Sequence, residues 1–258
     1  MRRLTVLSIL CMVSVFTGNV RACPTGGECT WPTLDVILSD GGVSPLVTDI
    51  SLLGGLTATG QSFVSLLDMV APVTSTATIL LEEAGYAGQN QFGIYKFNGD
   101  GVAPSAGEML LLFNGSAAVG ASAVVQFDLA GGTAWYDRNG DDVMDAGETA
   151  AIGAVFGFFL KSPDSAGGIS NPTFYSDELL NPDGAMEHAL LFNTSGITGA
   201  ISGNPSVVVA FEDLLASHTD CDYSDMVVGI SNVTPVPEPA TVALLGLGSL
   251  AALRRRRG

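Results

Sequence analysis

Between Cys23 and Thr234 the apolar residues fall in short runs closed by Gly, Pro, Asn or Asp, and no long stretch repeats at the helical period. A chain punctuated so often, with 32 Gly and 12 Pro in 258 residues, is suited to many short strands joined by turns rather than to long helices. The pattern predicts an all-β fold, a β-sandwich or jelly-roll-like domain. Its expected strands are Leu34 to Leu38, Phe63 to Leu67, Thr78 to Glu82, Phe92 to Phe97, Met109 to Phe113, Ala123 to Leu129, Ala151 to Leu160, Ala189 to Phe192, Val207 to Phe211 and Met226 to Ile230. Leu80 to Ala87 also reads as a helical turn. No repeat of fixed period is visible, and residues 23–234 read as a single extracellular β domain.

Charge narrows the function. Residues 23–239 hold all 26 Asp and Glu but only Lys96, Arg138 and Lys161 as cations, 3 against 26, for a formal charge of −23. That balance excludes a protein that coats DNA or RNA. Hydrophobic residues at 47% exclude a disordered chain. Self-repulsion on this scale opposes a compact state unless cations are bound.

The other seven cations lie at the two ends, as Arg2, Arg3, Arg21 and Arg254 to Arg257. A basic start, an apolar run from Leu4 to Phe16 and the small residue Ala22 mark residues 1–22 as a secretory signal peptide, with cleavage after Ala22. Cys23 directly after Ala22 also fits a lipoprotein signal, against which stands Arg21. Cys23, Cys29 and Cys221 then remain, an odd number that allows one internal disulfide; Cys23 with Cys29 is the favoured pair, with connectivity open. At the far end, Pro237-Glu238-Pro239 precedes an apolar stretch from Ala240 to Leu253 and four arginines. As a helix that stretch rises about 21 Å, short of the roughly 30 Å hydrocarbon core, and makes a marginal span held by a basic stop.

This tail, residues 235–258, resembles the PEP-CTERM sorting signal. The resemblance implies an exosortase-type enzyme acting at Pro237, Glu238 and Pro239, with transient inner-membrane insertion through residues 240–253. It further implies a final address at the cell surface, outer membrane or extracellular matrix of a Gram-negative bacterium that makes extracellular polysaccharide.

Two acidic constellations carry the chemistry. The first runs from Asp137 to Glu148. Laid on a twelve-position calcium loop, it puts Asp137, Asn139 and Asp141 at positions one, three and five, the Val143 carbonyl at seven, Asp145 at nine and Glu148 at twelve. Hard oxygen donors at odd spacing let a short loop wrap a cation of about 2.4 Å ligand distance. Position six, normally Gly, is Asp142, a residue that tolerates the left-handed conformation better than most. The competing reading is a plain hairpin tip, since Asn139-Gly140 is itself a strong turn signal after the strand-like Thr133 to Tyr136.

The second constellation follows the buried-looking strand Val207 to Phe211. Glu212 and Asp213 end that strand, and Asp220, Asp222 and Asp225 open the next, so that all five are expected to crowd one edge of the sandwich. Carboxylates packed so closely raise one another's pKa values unless a cation compensates. A solvated acidic loop is the alternative.

Phe211-Glu212-Asp213-Leu214 followed by Asp220-Cys221-Asp222-Tyr223-Ser224-Asp225 resembles the hallmark of a secreted bacterial domain-of-unknown-function family. Its members recur in large calcium-dependent adhesins and in PEP-CTERM proteins. Phe92-Gly93-Ile94-Tyr95, Gly157-Phe158-Phe159-Leu160, and Asn181-Pro182-Asp183-Gly184 with His188 are also similar to it, so the resemblance covers about residues 75–231. Ser224 stands where the family usually has Asn. The resemblance implies an extracellular β domain with bound Ca2+ and supplies no reaction.

Two histidines, His188 and His218, and an odd thiol are too few nitrogen and sulfur donors for zinc, and His188 reads as a hydrogen-bonded packing residue. Trp135 and Tyr136 read as core residues ahead of a sugar-stacking platform. The favoured function is a non-enzymatic, calcium-binding surface or matrix protein associated with exopolysaccharide or adhesion. Two others compete with it: a polysaccharide hydrolase working through two carboxylates, and a self-associating structural protein.

Overall fold

The computed structural model describes residues 21–22, 28–29 and 31–237, apart from Ala84, residues 166–168 and Ala185. Most of the signal peptide, Cys23, the Cys29 side chain, Glu238, Pro239 and the expected C-terminal helix lie outside the described residues. Among the described residues no helix is long and apolar enough to cross a membrane.

In chain order the strands are β1 (Arg21–Ala22), β2 (Glu28–Cys29), β3 (Val64–Leu66), β4 (Val73–Leu81), β5 (Gln91–Lys96), β6 (Met109–Phe113), β7 (Ser122–Asp128), β8 (Thr133–Trp135) and β9 (Thr149–Ala150). They continue as β10 (Val155–Lys161), β11 (Asp164–Ser165), β12 (Ile169–Ser170), β13 (Thr173–Tyr175), β14 (Ala189–Asn193), β15 (Val207–Phe211), β16 (Met226–Ile230) and β17 (Val233–Pro235). Two antiparallel sheets dominate. One has the order β17-β3-β10-β5-β6 with β13 also on β10; the other runs β14-β15-β16-β4-β7-β8-β9. They face each other across an aromatic core, where Phe92 meets Phe211 at 6.0 Å and Phe127 stacks on Phe156 at 5.5 Å between ring centroids. The fold is therefore the expected all-β sandwich.

Sequence pattern explains which faces are covered. In β7, Ser-Ala-Val-Val-Gln-Phe-Asp alternates exposed and buried positions, the signature of a strand with one wet face. In β15, Val-Val-Val-Ala-Phe is buried at every position. Its inner face joins the core, and its outer face is roofed by the segment ahead of the sandwich, whose Leu34, Ile37, Leu38 and Leu53 pack on Leu190, Val208, Ala210 and Val227.

That roof corrects one expectation. Leu34 to Leu38 is not a strand: Leu34–Ile37 forms the short helix α1, with Leu34, Ile37 and Leu38 buried and Val36 56% exposed. Burial at i, i+3 and i+4 is helical spacing, and a single turn presents all three to the sheet. The strand expected from Ala151 begins only at Val155, and the strand expected from Thr78 begins earlier, at Val73. β4 ends at Leu81, so Leu80 belongs to the sheet. The sequence also gave no sign of β13 and β17, each of three residues.

Gly93 and Gly157 have a packing reason. They face each other's aromatic neighbours across the β5–β10 ladder, Gly157 opposite Tyr95 and Phe159 opposite Gly93. A Cβ on Gly93 would sit 2.5 Å from the Phe159 ring and 2.3 Å from the Leu110 carbonyl oxygen; one on Gly157 would sit 2.5 Å from Tyr95. Each ring lies over the opposite glycine, on the outer face of the first sheet.

Candidate metal centre

β15 and β16 pair through Phe211 opposite Met226, so Glu212 to Asp225 form the connection between two central strands. The five acids thus gather at one end of the sandwich rather than along a lateral edge. Two backbone links fix the start of this connection. The Glu212 amide donates to the His188 carbonyl at 3.0 Å, and the His188 Nδ1 lies 3.0 Å from the Glu212 carbonyl. His188 is fully buried, stacked on Phe174 at 4.1 Å and held at Nε2 by Asp183 at 2.9 Å. It is the hydrogen-bonded packing residue expected, and it positions Glu212 through the backbone.

The rest of the connection is held by its own acids. The Asp213 amide donates to Asp225 Oδ2 at 2.6 Å, and Asp222 Oδ1 accepts from the Ser224 amide at 2.9 Å and from its hydroxyl at 3.1 Å. Ser224, where the resembling family has Asn, therefore braces a carboxylate. Cys221 and Tyr223 adopt φ of 64° and 58°, a left-handed backbone on either side of Asp222. Each costs about 1 kcal/mol or more for a residue other than Gly. Tyr223 is anchored by burial and by its hydroxyl on the Glu187 carbonyl at 3.0 Å.

These links bring the carboxylates together. Glu212, Asp213 and Asp225 form one group, and Glu212, Asp220 and Asp222 a second, with the oxygens within each group no more than 4.8 Å apart. Glu212 and Asp213 are buried at 0% and 1% exposure, Asp222 and Asp225 are half-buried, and Asp220 is exposed. Above them opens a cavity of about 440 Å³ lined by Asp213, Asp220, Asp222 and Asp225 together with Asp40 and Glu83. Burial, then the Asp225 charge, push Glu212 up to about 9. Burial and the Asp213 charge push Asp225 up to about 8, and burial drives Asp213, Asp222 and Glu82 upward as well.

Two buried oxygens at this site accept no hydrogen bond, Glu212 Oε2 and Asn90 Oδ1. Asn90 is fully buried just ahead of β5, on the opposite sheet, and its Nδ2 donates to Asp213 Oδ2 at 2.7 Å. Buried acceptors of this kind ordinarily find a donor or a cation. Asn90 was not legible in the sequence: it lies 123 positions from Asp213 and carries no local motif.

The Asp137–Glu148 segment closes a separate hairpin between β8 and β9. Asp137 accepts at Oδ1 from the Gly140 amide at 2.6 Å and at Oδ2 from the Asp142 amide at 2.9 Å. Those amides, Asp142's first, hold its carboxyl below the usual range. Asp142 adopts φ 58°, the left-handed conformation a calcium loop needs at position six. Asp141 Oδ1 accepts from the Val143 amide at 2.8 Å. Buried Glu148 accepts from the Arg138 amide at 3.0 Å and the Asp145 amide at 3.4 Å. Asn139 Nδ2 donates to Asp141 at 3.0 Å and Asp145 at 3.1 Å, a hydrogen bond standing between these two carboxylates. The loop acids enter neither converging carboxylate group. Arg138 reaches the Leu111 and Gly147 carbonyls, and among the described residues no cation pairs with the loop acids.

Of the remaining expectations, Tyr136 packs against the core and Trp135 is half-buried. His218 is exposed, with Nδ1 2.7 Å from the Ser217 hydroxyl, and Cys221 is a free, half-buried thiol whose pKa burial raises.

Comparison with known families gives two matches. Residues 144–232 match the family described as a domain of unknown function (DUF4114), and residues 235–257 match the PEP-CTERM protein-sorting motif. The first match contains the whole 212–225 site and begins inside the β8–β9 loop, a shorter span than the 75–231 suggested by the sequence resemblance. No curated protein and no solved structure matches the chain.

Proposed function

We propose that this exported, exosortase-sorted protein is a non-enzymatic β-sandwich of the cell surface or extracellular matrix that binds Ca2+ at the end of its second sheet and associates with exopolysaccharide. Export and sorting follow from the PEP-CTERM motif over residues 235–257. One observation carries the calcium reading: Glu212 Oε2 and Asn90 Oδ1 are buried, unpartnered oxygens within a group of five acids. Among the described residues no lysine or arginine pairs with those acids; Lys96, one of the three cations of this region, pairs instead with Glu108 at 3.0 Å. A cation would satisfy both oxygens and offset charge that burial otherwise disfavours.

The donor set selects the ion. Carboxylates and one amide oxygen are hard ligands suited to Ca2+, whereas zinc favours nitrogen and sulfur. Glu212, Asp213 and Asp225, with Asn90, would hold it, and the ion would supply positive charge that ties the β15–β16 connection to the start of β5. The Asp137–Glu148 loop would add a second, more exposed site through Asp137, Asn139, Asp141, Val143, Asp145 and Glu148.

The polysaccharide part of the reading has its own support. On the outer face of the first sheet a cavity of about 230 Å³ is lined by Trp31, Phe63 and Phe97 together with Asp100 and Asp177. Aromatic faces beside carboxylates have the chemistry that stacks sugar rings and accepts from their hydroxyls.

Calcium titration of chelator-treated protein, with a melting curve at each end, tests the central claim. Binding with a clear rise in melting temperature is expected. No heat and no shift would overturn the calcium reading at both acidic clusters and leave the buried acids of the 212–225 site to be neutralised by protons instead.

A further inference from the structure

We infer that the 212–225 site holds two cations side by side, with Glu212 as the carboxylate they share. The inference rests on the calcium reading and adds a stoichiometry and a bridge to it. The five acids do not form one set of mutually close oxygens. They divide into Glu212-Asp213-Asp225 and Glu212-Asp220-Asp222, and Glu212 alone belongs to both.

Distance explains why one ion cannot serve all five. Oxygens bound to one Ca2+ at about 2.4 Å can be no more than about 4.8 Å apart. Each triad meets that limit and the five together do not. A single ion in the Asp213-Asp225 group leaves Asp220 and Asp222 uncompensated, with Asp222 half-buried and Asp40 facing it across the cavity.

The uncommitted oxygens fall in the right places. Asn90 Oδ1 is on the Asp213 side, where its own Nδ2 fixes the amide to Asp213. Glu212, common to both triads, keeps Oε2 without a partner, while Oε1 takes a 3.3 Å hydrogen bond from the Leu214 amide and the Thr219 side chain also hydrogen-bonds the carboxylate. A carboxylate with one free and one lightly engaged oxygen can ligate an ion on either side. Charge points the same way. Five carboxylates with one dication keep a formal charge of −3, and with two keep −1. The cavity of about 440 Å³ is lined by Asp213 and Asp225 of one group and Asp220 and Asp222 of the other, and so gives both groups access to the water that would complete an ion's shell.

The test counts ions on the full-length chain in mild detergent, with the β8–β9 loop silenced by Asp137→Asn and Asp141→Asn, using native mass spectrometry with Ca2+ as the probe. Two ions are expected, falling to one in Asp222→Asn and to one in Asp225→Asn. A count of one, or a count of two that neither substitution lowers, overturns the shared site and leaves calcium binding standing. A count of zero overturns both. Terbium and europium loaded together on the unsubstituted site give a check that needs no variant there. With europium in large excess, so that nearly every bound terbium has a europium neighbour, near-complete quenching of terbium is expected, and terbium emission left unquenched under that excess overturns the pairing.

Discussion

Loading the 212–225 site with calcium should expel protons, and the structure sets how many. Burial and Asp225 push Glu212 up to about 9, and burial and Asp213 push Asp225 up to about 8. At pH 7 both carboxyls are then mostly protonated without the ion, whereas a bound dication needs both as carboxylates. Binding at pH 7 should release roughly two protons, and affinity should rise on the order of 10² to 10³ between pH 7 and pH 9, where most of those protons are already gone. The metal-free fold should respond in the opposite sense. Both groups hold their protons more tightly folded than unfolded, so the stability they contribute is complete below about pH 4, falls progressively as pH rises, and is gone once pH has passed through the folded values of about 8 and 9. One proton bound only in the folded state is worth about 1.4 kcal/mol per pH unit, so the loss from pH 5 to pH 8 is on the order of several kcal/mol. Calorimetric titration at pH 7 in two buffers of unequal ionisation enthalpy counts the protons, and melts of chelated protein across pH follow the stability. Equal heats in both buffers, with affinity flat from pH 7 to 9, would mean that the buried acids are ionised without metal and that the reasoning from burial and crowding is wrong.

Other perturbations probe the scaffold. Gly93→Ala or Gly157→Ala forces a Cβ into the Phe159 or Tyr95 ring and should lower stability by about 1–3 kcal/mol in denaturant titration, with the Gly93 change the larger because it also meets the Leu110 carbonyl. Asp142→Gly frees a residue held at φ 58° and should stabilise the β8–β9 loop by about 0.5–1 kcal/mol, seen as a higher midpoint or tighter calcium binding at that loop; a loss would show that the Asp142 side chain contributes. Ile37→Ala empties the roof over the second sheet and should cost about 2–5 kcal/mol, whereas Val36→Ala, on the exposed side of the same turn, should cost well under 1 kcal/mol.

Turn punctuation and short apolar runs determined the fold class, because a strand's two-residue period and its closing turn are local properties of the chain. The runs Met109 to Phe113, Val207 to Phe211 and Met226 to Ile230 became strands with those bounds. The acids of the candidate centre were equally legible as letters: Glu212 and Asp213 close one strand, and Asp225 stands just before the next. What the letters could not carry is partnership at long range. α1 is a helix because a sheet face needed a roof three and four residues wide, and only the folded sheet presents that face. Asn90 joins Asp213 because the start of β5 and the end of β15 meet at one end of the sandwich, although 123 positions separate them in the chain. The division of five acids into two groups that share Glu212 appears only in the folded connection, where Cys221 and Tyr223 take left-handed backbone on either side of Asp222, a conformation that spacing alone leaves open. Composition determined that residues 23–239 carry a large excess of negative charge; tertiary packing decided which oxygens are buried without a partner, since only burial removes the water that would otherwise satisfy them.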